Sequence, residues 1–346
     1  MSMKNKRGIE YGLTILIVII GLVVALGVFL LVWNRLSFTE QIDKETCKQS
    51  VLQRSIFNAG PFEVGKKVIS LDCKTEKICV SESGKDCADA SGGASGFMPA
   101  KNNPVTKVMV RGRDTKLVAM DTLANALYDC HDMLGRGKLN FMPNTFWKEK
   151  YCLICSRVAF DEQARKNAGK ISYVDFLKYM ESKKDSAGIS YLKVIYNTDS
   201  ADVAIEQLEG LLDILNKEGP KQGYPTVSSV NDLNIDLSGG NGIAIVSQLI
   251  PYSTAGAWVK GGFFALTVGG IAAGIILAPA TGGGSLALTV ASIKAVVVGG
   301  ALGAASFGVG YVYTFPDGAA YEAPKIYPYE VDMLRALECS SFETAP

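Results

Sequence analysis

The feature that most constrains this chain is an uncharged, strongly apolar segment near its amino terminus. From Gly12 to Val32 the sequence runs for 21 residues without a charged side chain and consists mainly of Leu, Ile and Val. In a helix, at about 1.5 Å per residue, such a segment is about 31 Å long and matches the hydrocarbon core of a bilayer. A secretory signal peptide has a shorter apolar region and a small-residue cleavage site, and this segment has neither feature. The segment therefore predicts a retained transmembrane helix.

The charges that flank this segment predict its direction. Lys4, Lys6 and Arg7 precede it, whereas Trp33 and Arg35 follow it. Basic residues are enriched on the cytoplasmic side of a membrane helix, and Trp is enriched at the interface. We therefore expect a cell-membrane protein with a cytoplasmic amino terminus, an extracytoplasmic main body and the lipid bilayer as its first partner.

The start of the apolar segment carries a more specific pattern. The residues from Lys6 to Leu13 read KRGIEYGL and lead directly into the apolar run. Residues 6–32 resemble the amino-terminal segments of type IV pilin-like subunits, especially tight-adherence pilins. In that family a peptidase cuts after the small residue, and the Glu aligns neighbouring subunits. The resemblance implies processing at Gly8 and an assembly role for Glu10, although these residues are two apart here and five apart in the family.

The alternative interpretation of this start is an ordinary anchor with a Glu-Tyr pair at the membrane interface. The remainder of the chain resembles uncharacterised archaeal membrane proteins, and that likeness implies no activity.

The cysteine residues give an independent indication of compartment. The chain has eight cysteines, and all of them lie outside the apolar segments: Cys47, Cys73, Cys79, Cys87, Cys130, Cys152, Cys155 and Cys339. An even number of cysteines in an exported body predicts disulfide bonds. Eight cysteines allow about a hundred pairings, and the sequence does not choose among them.

The spacing Cys152-x-x-Cys155 also permits a zinc site or a redox pair, with Cys130 and His131 as further ligands. Adjacent residues of a helix project about 100° apart, which disfavours a shared metal ion. The segment Tyr151 to Phe160 reads as a strand, whereas a redox pair is expected at a strand-to-helix turn. We therefore expect structural disulfides, no metal and no cofactor, with a thiol-disulfide oxidoreductase as an alternative.

Residues 36–250 show both strand and helix patterns and predict an extracytoplasmic α+β domain. β-branched and aromatic runs predict strands at Lys67–Leu71, Lys77–Ser81, Val105–Arg111, Ile189–Tyr196 and Ile243–Leu249. Apolar residues at helical spacing predict helices from an Asp121 cap to Gly135, from a Ser172 cap onward, and over Ser200–Lys217. In the first helix, Cys130 is expected to face inward and His131 to lie toward an edge.

The body shows no pattern typical of an enzyme. A Ser-His-Asp or Cys-His arrangement would have to use the sole histidine, and the Gly-rich residues 238–242 lack the Lys-Ser/Thr of a phosphate-binding loop. The 35 basic residues are balanced by 34 acidic residues, which gives no electrostatic case for nucleic acid as a partner. We therefore predict a body that is not an enzyme.

A second apolar region covers residues 255–313 and has only Lys260 and Lys294 as charged residues. Its length suits two membrane spans, with a reversal near Pro279, so it predicts a Gly/Ala-rich transmembrane helical hairpin followed by an exterior tail over residues 314–346. Small residues recur at every fourth position and predict close helix packing, within the hairpin or between subunits, at Gly269, Ala273, Ala295, Gly299 and Gly303.

The predicted fold class is thus a membrane-anchored α+β protein: residues 1–35 form a cytoplasmic stub and a transmembrane helix, and a disulfide-bonded mixed α/β exterior body and the helical hairpin follow. The expected function is that of a structural or adhesive cell-surface protein, a pilin-like or envelope assembly subunit, which acts by self-association or by contacts with other surface proteins. The alternative is a pore-forming or membrane-inserting protein that uses the hairpin.

Overall fold

The computed structural model describes residues 18–27, 38–58, 71–87, 105–141, 151–218, 229–237, 242–250, 263–268, 271–276, 307–314, 320–329, 334, 337, 339 and 341–343. The chain divides into two compact units, Met1–Asp43 and Lys44–Pro346.

In the first unit, residues 18–27 are helical, in agreement with the helix predicted over Gly12 to Val32. The other residues of that predicted helix lie outside the described part of the chain. No helix within the described residues combines the length and the apolar character needed to cross a bilayer.

The helices and strands alternate irregularly along the chain. The helices with assigned bounds are α1 (Phe38–Asn58), α2 (Thr115–Met133), α3 (Glu162–Ala168), α4 (Tyr173–Ser182), α5 (Tyr191–Tyr196) and α6 (Ala201–Glu218). The strands are β1 (Glu76–Ser81), β2 (Val105–Met109), β3 (Tyr151–Phe160), β4 (Lys170–Ser172), β5 (Asn234–Asp236), β6 (Ile243–Ile250), β7 (Phe263–Val268), β8 (Ile271–Ile276), β9 (Phe307–Thr314), β10 (Ala320–Pro328) and β11 (Ser341–Glu343). The predicted mixed α+β class is confirmed for the body.

The central sheet is mixed. Its strands run in the order β2-β1-β3-β6-β10-β9-β7-β8, and β11 pairs with the first residues of β3. Strands β2, β1 and β3 are parallel, whereas the pairs from β3 to β8 along this order are antiparallel. Strands β4 and β5 form a separate antiparallel pair.

Both faces of the sheet are covered around β3, whose ten residues are all buried. On the face that we call the helical face, Leu153 and Ile245 pack in one apolar cluster with Leu127 of α2. On the opposite face, Ile154 and Val246 pack with residues of the C-terminal segment such as Leu334 and Leu337. We call this the C-terminal face. A strand covered on both sides has no polar side to display, which explains its nearly continuous apolar sequence.

Helix α2 begins earlier than the sequence predicts. Asp114 is its N-cap and accepts a hydrogen bond from the Lys116 amide at 2.9 Å, so the prediction of an Asp121 cap is wrong. Asp121 lies within the helix, where its carboxylate accepts a hydrogen bond from Tyr179 of α4 and forms an ion pair with Lys183. The predicted end is confirmed, since Gly135 follows the helix with a φ of +77° that favours glycine.

Residues 189–196 are predicted as a strand, but Tyr191–Tyr196 form helix α5. The Ser190 hydroxyl accepts a hydrogen bond from the Lys193 amide at 3.2 Å, and Asn197 ends the helix in the left-handed conformation. The β-branched residues of this short segment are compatible with either structure, and the two caps decide in favour of the helix.

The helical hairpin prediction is wrong for the described residues of the second apolar region, because they lie in strands β7, β8 and β9. Apolar periodicity does not separate a buried strand from a helix, and here β7 obtains its backbone partners from β8 and β9. Ala273 therefore lies in a strand and not at a helix interface. Gly269, Ala295, Gly299 and Gly303 lie outside the described residues.

Candidate functional site

All eight cysteines are oxidised, so the predicted disulfide bonding is confirmed. The four bonds join Cys47 to Cys73, Cys79 to Cys87, Cys130 to Cys155, and Cys152 to Cys339. The first connects α1 to the segment before β1, and the second closes the turn after β1. The third fastens α2 to the helical face, and the fourth fastens the C-terminal segment to the opposite face. Disulfides of this number are typical of oxidising compartments.

The Cys152-x-x-Cys155 pair has no redox geometry. Cys152 packs on the C-terminal face and Cys155 on the helical face, and each is bonded to a distant cysteine. A catalytic dithiol must form a bond between its own two sulfurs, so this arrangement does not support the oxidoreductase alternative. The described residues also contain no group of three or more side chains that could hold a metal ion.

His131 is fully buried between α2 and the sheet, so the prediction that it lies toward an edge is wrong. Its Nδ1 atom is 3.1 Å from the Tyr321 hydroxyl of β10. Burial, and then the nearby Arg136 charge, lower its pKa to about 3. The imidazole is therefore neutral near pH 7 and ties the helix to the sheet; its burial gives it no access to a substrate.

Acidic residues lie at the carboxyl ends of the parallel strands, a frequent place for sites in α/β folds. Asp161 accepts hydrogen bonds from the Ser81 hydroxyl at 2.8 Å, the Ser83 hydroxyl at 2.7 Å and the first turn of α3. Although burial opposes this, these bonds lower its pKa to about 2. Glu82 in turn accepts a bond from Thr115 at 2.9 Å. These carboxylates hold the strand ends together, and its lowered pKa leaves Asp161 poorly suited to proton transfer.

A group of tyrosines and charged side chains covers the outer side of α2, α4, the segment that joins α4 to α5 and the first residue of α5. We call it the tyrosine face, and it consists of Tyr128, Tyr179, Tyr191, Asp121, Asp132, Arg136, Lys183 and Asp185. All of these side chains are partly exposed.

The rings of the tyrosine face are held in one arrangement. Tyr128 and Tyr191 are stacked with their centroids 4.3 Å apart. Arg136 lies 5.4 Å from the Tyr128 centroid and donates a hydrogen bond to the Tyr128 hydroxyl at 2.8 Å. The Lys183 ammonium lies 5.0 Å from the Tyr191 centroid. The stack is therefore bordered by two cations, as cation–π attraction favours.

The acidic residues of the tyrosine face fix the hydroxyls and the cations. Tyr179 donates a hydrogen bond to Asp121 at 2.5 Å, and Lys183 forms an ion pair with the same carboxylate. Burial and then Asp121 raise the pKa of Tyr179 well above its usual range. Burial would raise the pKa of Asp121, but hydrogen bonds from Lys183 and Tyr179 outweigh it and lower that pKa. The phenol thus stays protonated and the carboxylate charged across the physiological range.

The tyrosine face is rich in residue types that are common in protein-contact sites. Tyr and Arg are enriched in such interfaces and supply much of their binding energy. Two large apolar side chains at its border are exposed, Leu117 by 45% and Ile189 by 43%. This site is not predicted from the sequence because its tyrosines lie far apart along the chain. The available signal was the stripe at positions 117, 121, 125, 128 and 132, which share one side of a helix.

The first unit offers a different kind of surface. Its helical residues 18–27 expose seven large apolar side chains by 54–64%: Val18, Ile19, Ile20, Leu22, Val23, Val24 and Leu26. These residues lie on every side of the helix, and a methyl group added at Gly21 or Gly27 would meet nothing within 4 Å. Gly8 and Glu10, the predicted processing and assembly residues, lie outside the described part of the chain.

We found no family model, curated protein or solved structure that matches this chain.

Proposed function

We propose that this chain is a membrane-anchored cell-surface protein whose disulfide-bonded body binds other proteins through the tyrosine face. The observation that carries the proposal is the partly exposed Tyr128–Tyr191 stack, bordered by two cations and edged with exposed apolar side chains. The role is structural or adhesive and requires no chemical reaction.

The proposal of a membrane anchor is supported by the exposed apolar helix of the first unit. An amphipathic helix of a globular protein hides one apolar stripe, whereas residues 18–27 are apolar and exposed on all sides. Such a helix is stable in a lipid environment, where it satisfies its own backbone hydrogen bonds. The basic residues before it favour a cytoplasmic amino terminus.

The exterior location of the body is supported by its four disulfides. Such bonds persist outside the cytosol, and the cytosolic thiol pool reduces most of them. The basic residues predict placement outside, and the oxidised cysteines support the same location independently.

The binding role is supported by the preorganisation of the tyrosine face. Its hydroxyls and cations already have partners within the face, so a protein that binds there orders few side chains. Tyrosine adds contact area with little loss of side-chain entropy. We propose that the partner is a second copy of the chain or another surface protein, as in a pilin-like or envelope assembly.

Membrane anchoring is tested by extraction of cell membranes with alkaline carbonate. The whole chain is expected to stay in the membrane pellet, and a variant lacking residues 1–35 is expected to be released. A whole chain that carbonate extracts as readily as the deletion variant would contradict the anchor.

Protein contact is tested with a photo-crosslinking amino acid at Ile189, beside the tyrosine face. Gln163 is the matched control, since it is exposed on α3 of the same unit. We expect crosslinked products from position 189 and not from 163, and we expect Tyr191→Ala to reduce them severalfold. Products with twice the chain mass would indicate self-association. Equal crosslinking at both positions would argue against a specific contact.

The pilin-like form of the proposal has its own test. Coexpression with a prepilin peptidase is expected to shorten the chain to begin after Gly8, and replacement of Gly8 by a bulky residue is expected to prevent this. An intact amino terminus by mass spectrometry would eliminate the pilin-like form and leave the contact role in place.

A further inference from the structure

We propose that the buried side chains of Lys325 and Glu322 become joined by an amide bond, which cross-links strand β10 to itself. The bond forms by condensation of the lysine amine with the glutamate carboxyl group and releases one water molecule. This modification site is separate from the tyrosine face and does not depend on the proposed binding role. It adds a second kind of covalent link to a body that already has four disulfides.

A bulge in β10 brings the two side chains to one face of the sheet. Glu322 is the register partner of Gln248 on β6, and Lys325 is the partner of Val246. Three steps along β10 therefore match two steps along β6, and Pro324 lies in this irregular part of the strand. In a regular strand, residues three apart point to opposite faces. Here both side chains leave the C-terminal face, where Val246 packs.

The pair is withdrawn from water almost completely. Lys325 is only 1% exposed and Glu322 only 4%. The two side chains are in direct contact, since the Lys325 ammonium donates a hydrogen bond to the Glu322 carboxylate. A buried ion pair must overcome the lost hydration of both of its charges. An amide made from the same atoms has no charge, so condensation removes that cost.

The contact also prepares the two groups for reaction. Nζ of Lys325 touches Oε1 of Glu322, and Oε1 is bonded to Cδ, the carbon that an amine attacks. Two groups held together react as one molecule, at an effective concentration far above any in solution. The exclusion of water protects the product from hydrolysis.

The condensation requires no other reactant. Burial favours uncharged groups, so the ammonium passes a proton to the carboxylate and gives a neutral amine and a carboxylic acid. The amine nitrogen then attacks Cδ, and a C–N bond forms. The bond from Cδ to the hydroxyl breaks, and the hydroxyl leaves as water with one proton from the nitrogen.

The test is mass spectrometry of tryptic peptides from the whole protein, extracted from membranes with detergent and then reduced and alkylated. Trypsin cleaves after an unmodified lysine, so we expect no cleavage after Lys325. The peptide that contains Glu322 and Lys325 is expected to be lighter by one water than its sequence requires. Its fragmentation spectrum should lack ions from backbone breaks between these two residues, because the ring holds both parts together.

Lys325→Arg retains the positive charge, but its guanidinium does not condense with a carboxyl group. We therefore expect the variant to be cleaved at position 325 and its peptides to have their full masses. The result for the natural protein does not depend on how this variant folds. A natural protein that is cleaved after Lys325 into peptides of full mass would overturn the proposal.

The matched control is the exposed ion pair of Lys193 with Asp199, whose charged atoms are 3.0 Å apart. Water surrounds this pair, so we expect cleavage after Lys193 and peptides of full mass. An equal loss of water at the exposed pair would also overturn the proposal. It would show that the amide arises during sample handling and not in the buried site.

Discussion

The stability of the body should depend steeply on pH through its single histidine. His131 is fully buried, its Nδ1 atom lies 3.1 Å from the Tyr321 hydroxyl, and burial is the largest cause of a pKa near 3. The charged neighbours that act on it are Arg136, Lys138 and Asp132, and two of these three repel an imidazolium. At mildly acidic pH, His131 is therefore protonated in the unfolded chain but not in the folded protein.

The sign and the size of this pH dependence follow from the linkage between proton binding and folding. In the unfolded chain the imidazole takes up a proton below its ordinary pKa of 6.5, whereas in the folded protein it remains neutral down to about pH 3. The His131 contribution to stability is thus fully present above pH 6.5 and is lost as the pH falls from 6.5 toward 3. At about 1.4 kcal/mol per pH unit, the free energy of unfolding should drop by about 2 kcal/mol between pH 7 and pH 5.

The assay is urea unfolding of the natural protein and of His131→Gln at several pH values from 8 to 4.5. Glutamine does not titrate, so the difference between the two free energies of unfolding isolates the histidine. Carboxylates that titrate at lower pH are common to both proteins and largely cancel. Since the chain has no other histidine, the window above pH 5 is nearly free of other side-chain titrations.

We expect this difference to be constant above pH 7 and to shift against the natural protein by about 2 kcal/mol at pH 5. A difference independent of pH would refute the reasoning, because it would mean that His131 titrates alike in the folded and unfolded chains. A shift of opposite sign would mean that the folded protein binds the proton.

Three further predictions concern the scaffold. Joint replacement of Cys130 and Cys155 by Ala, which opens a bond spanning 25 residues, should lower the free energy of unfolding by about 3–4 kcal/mol in urea titrations; an unchanged value would contradict a native bond. Asp161→Asn should cost about 1–3 kcal/mol near pH 7. Because the pKa of Asp161 is lowered to about 2, this loss of stability should shrink as the pH falls from 3.8, the ordinary pKa of Asp, toward 2. Gly242→Ala should lower the free energy of unfolding more than Gly112→Ala does. Both glycines have positive φ, but only at Gly242 would the new Cβ lie 2.7 Å from a carbonyl of β3. Equal losses of stability in the two variants would refute that close approach.

The sequence predicted those elements whose local signals agree with their tertiary setting. Helix α4 begins at its Ser172 cap as expected, and strands β1, β3 and β6 lie where β-branched runs predict them. The inward direction of Cys130 followed from its place in an apolar stripe, and it is confirmed by full burial. In each case the pattern and the environment favour the same structure.

The wrong secondary-structure predictions concern segments in which local sequence patterns are ambiguous. The apolar residues of β7 and β8 are compatible with a helix, and only pairing with β9 determines the strand. Helix α5 depends on the side chain of Ser190, which is a local cap, but its β-branched residues obscured that signal. The disulfide partners and the ring stacking of the tyrosine face depend on packing between distant segments, such as α2 with α4, and the stripe on α2 alone does not specify them.

The central claim, an oxidised body displayed outside a membrane, is tested most directly by a disulfide map of the membrane-extracted protein whose free thiols are alkylated in intact cells. Our account predicts that no cysteine is alkylated and that the map shows the pairs 47–73, 79–87, 130–155 and 152–339. A protein whose cysteines are mostly alkylated would contradict the exterior location. A bond between Cys152 and Cys155 would contradict the structural role assigned to them.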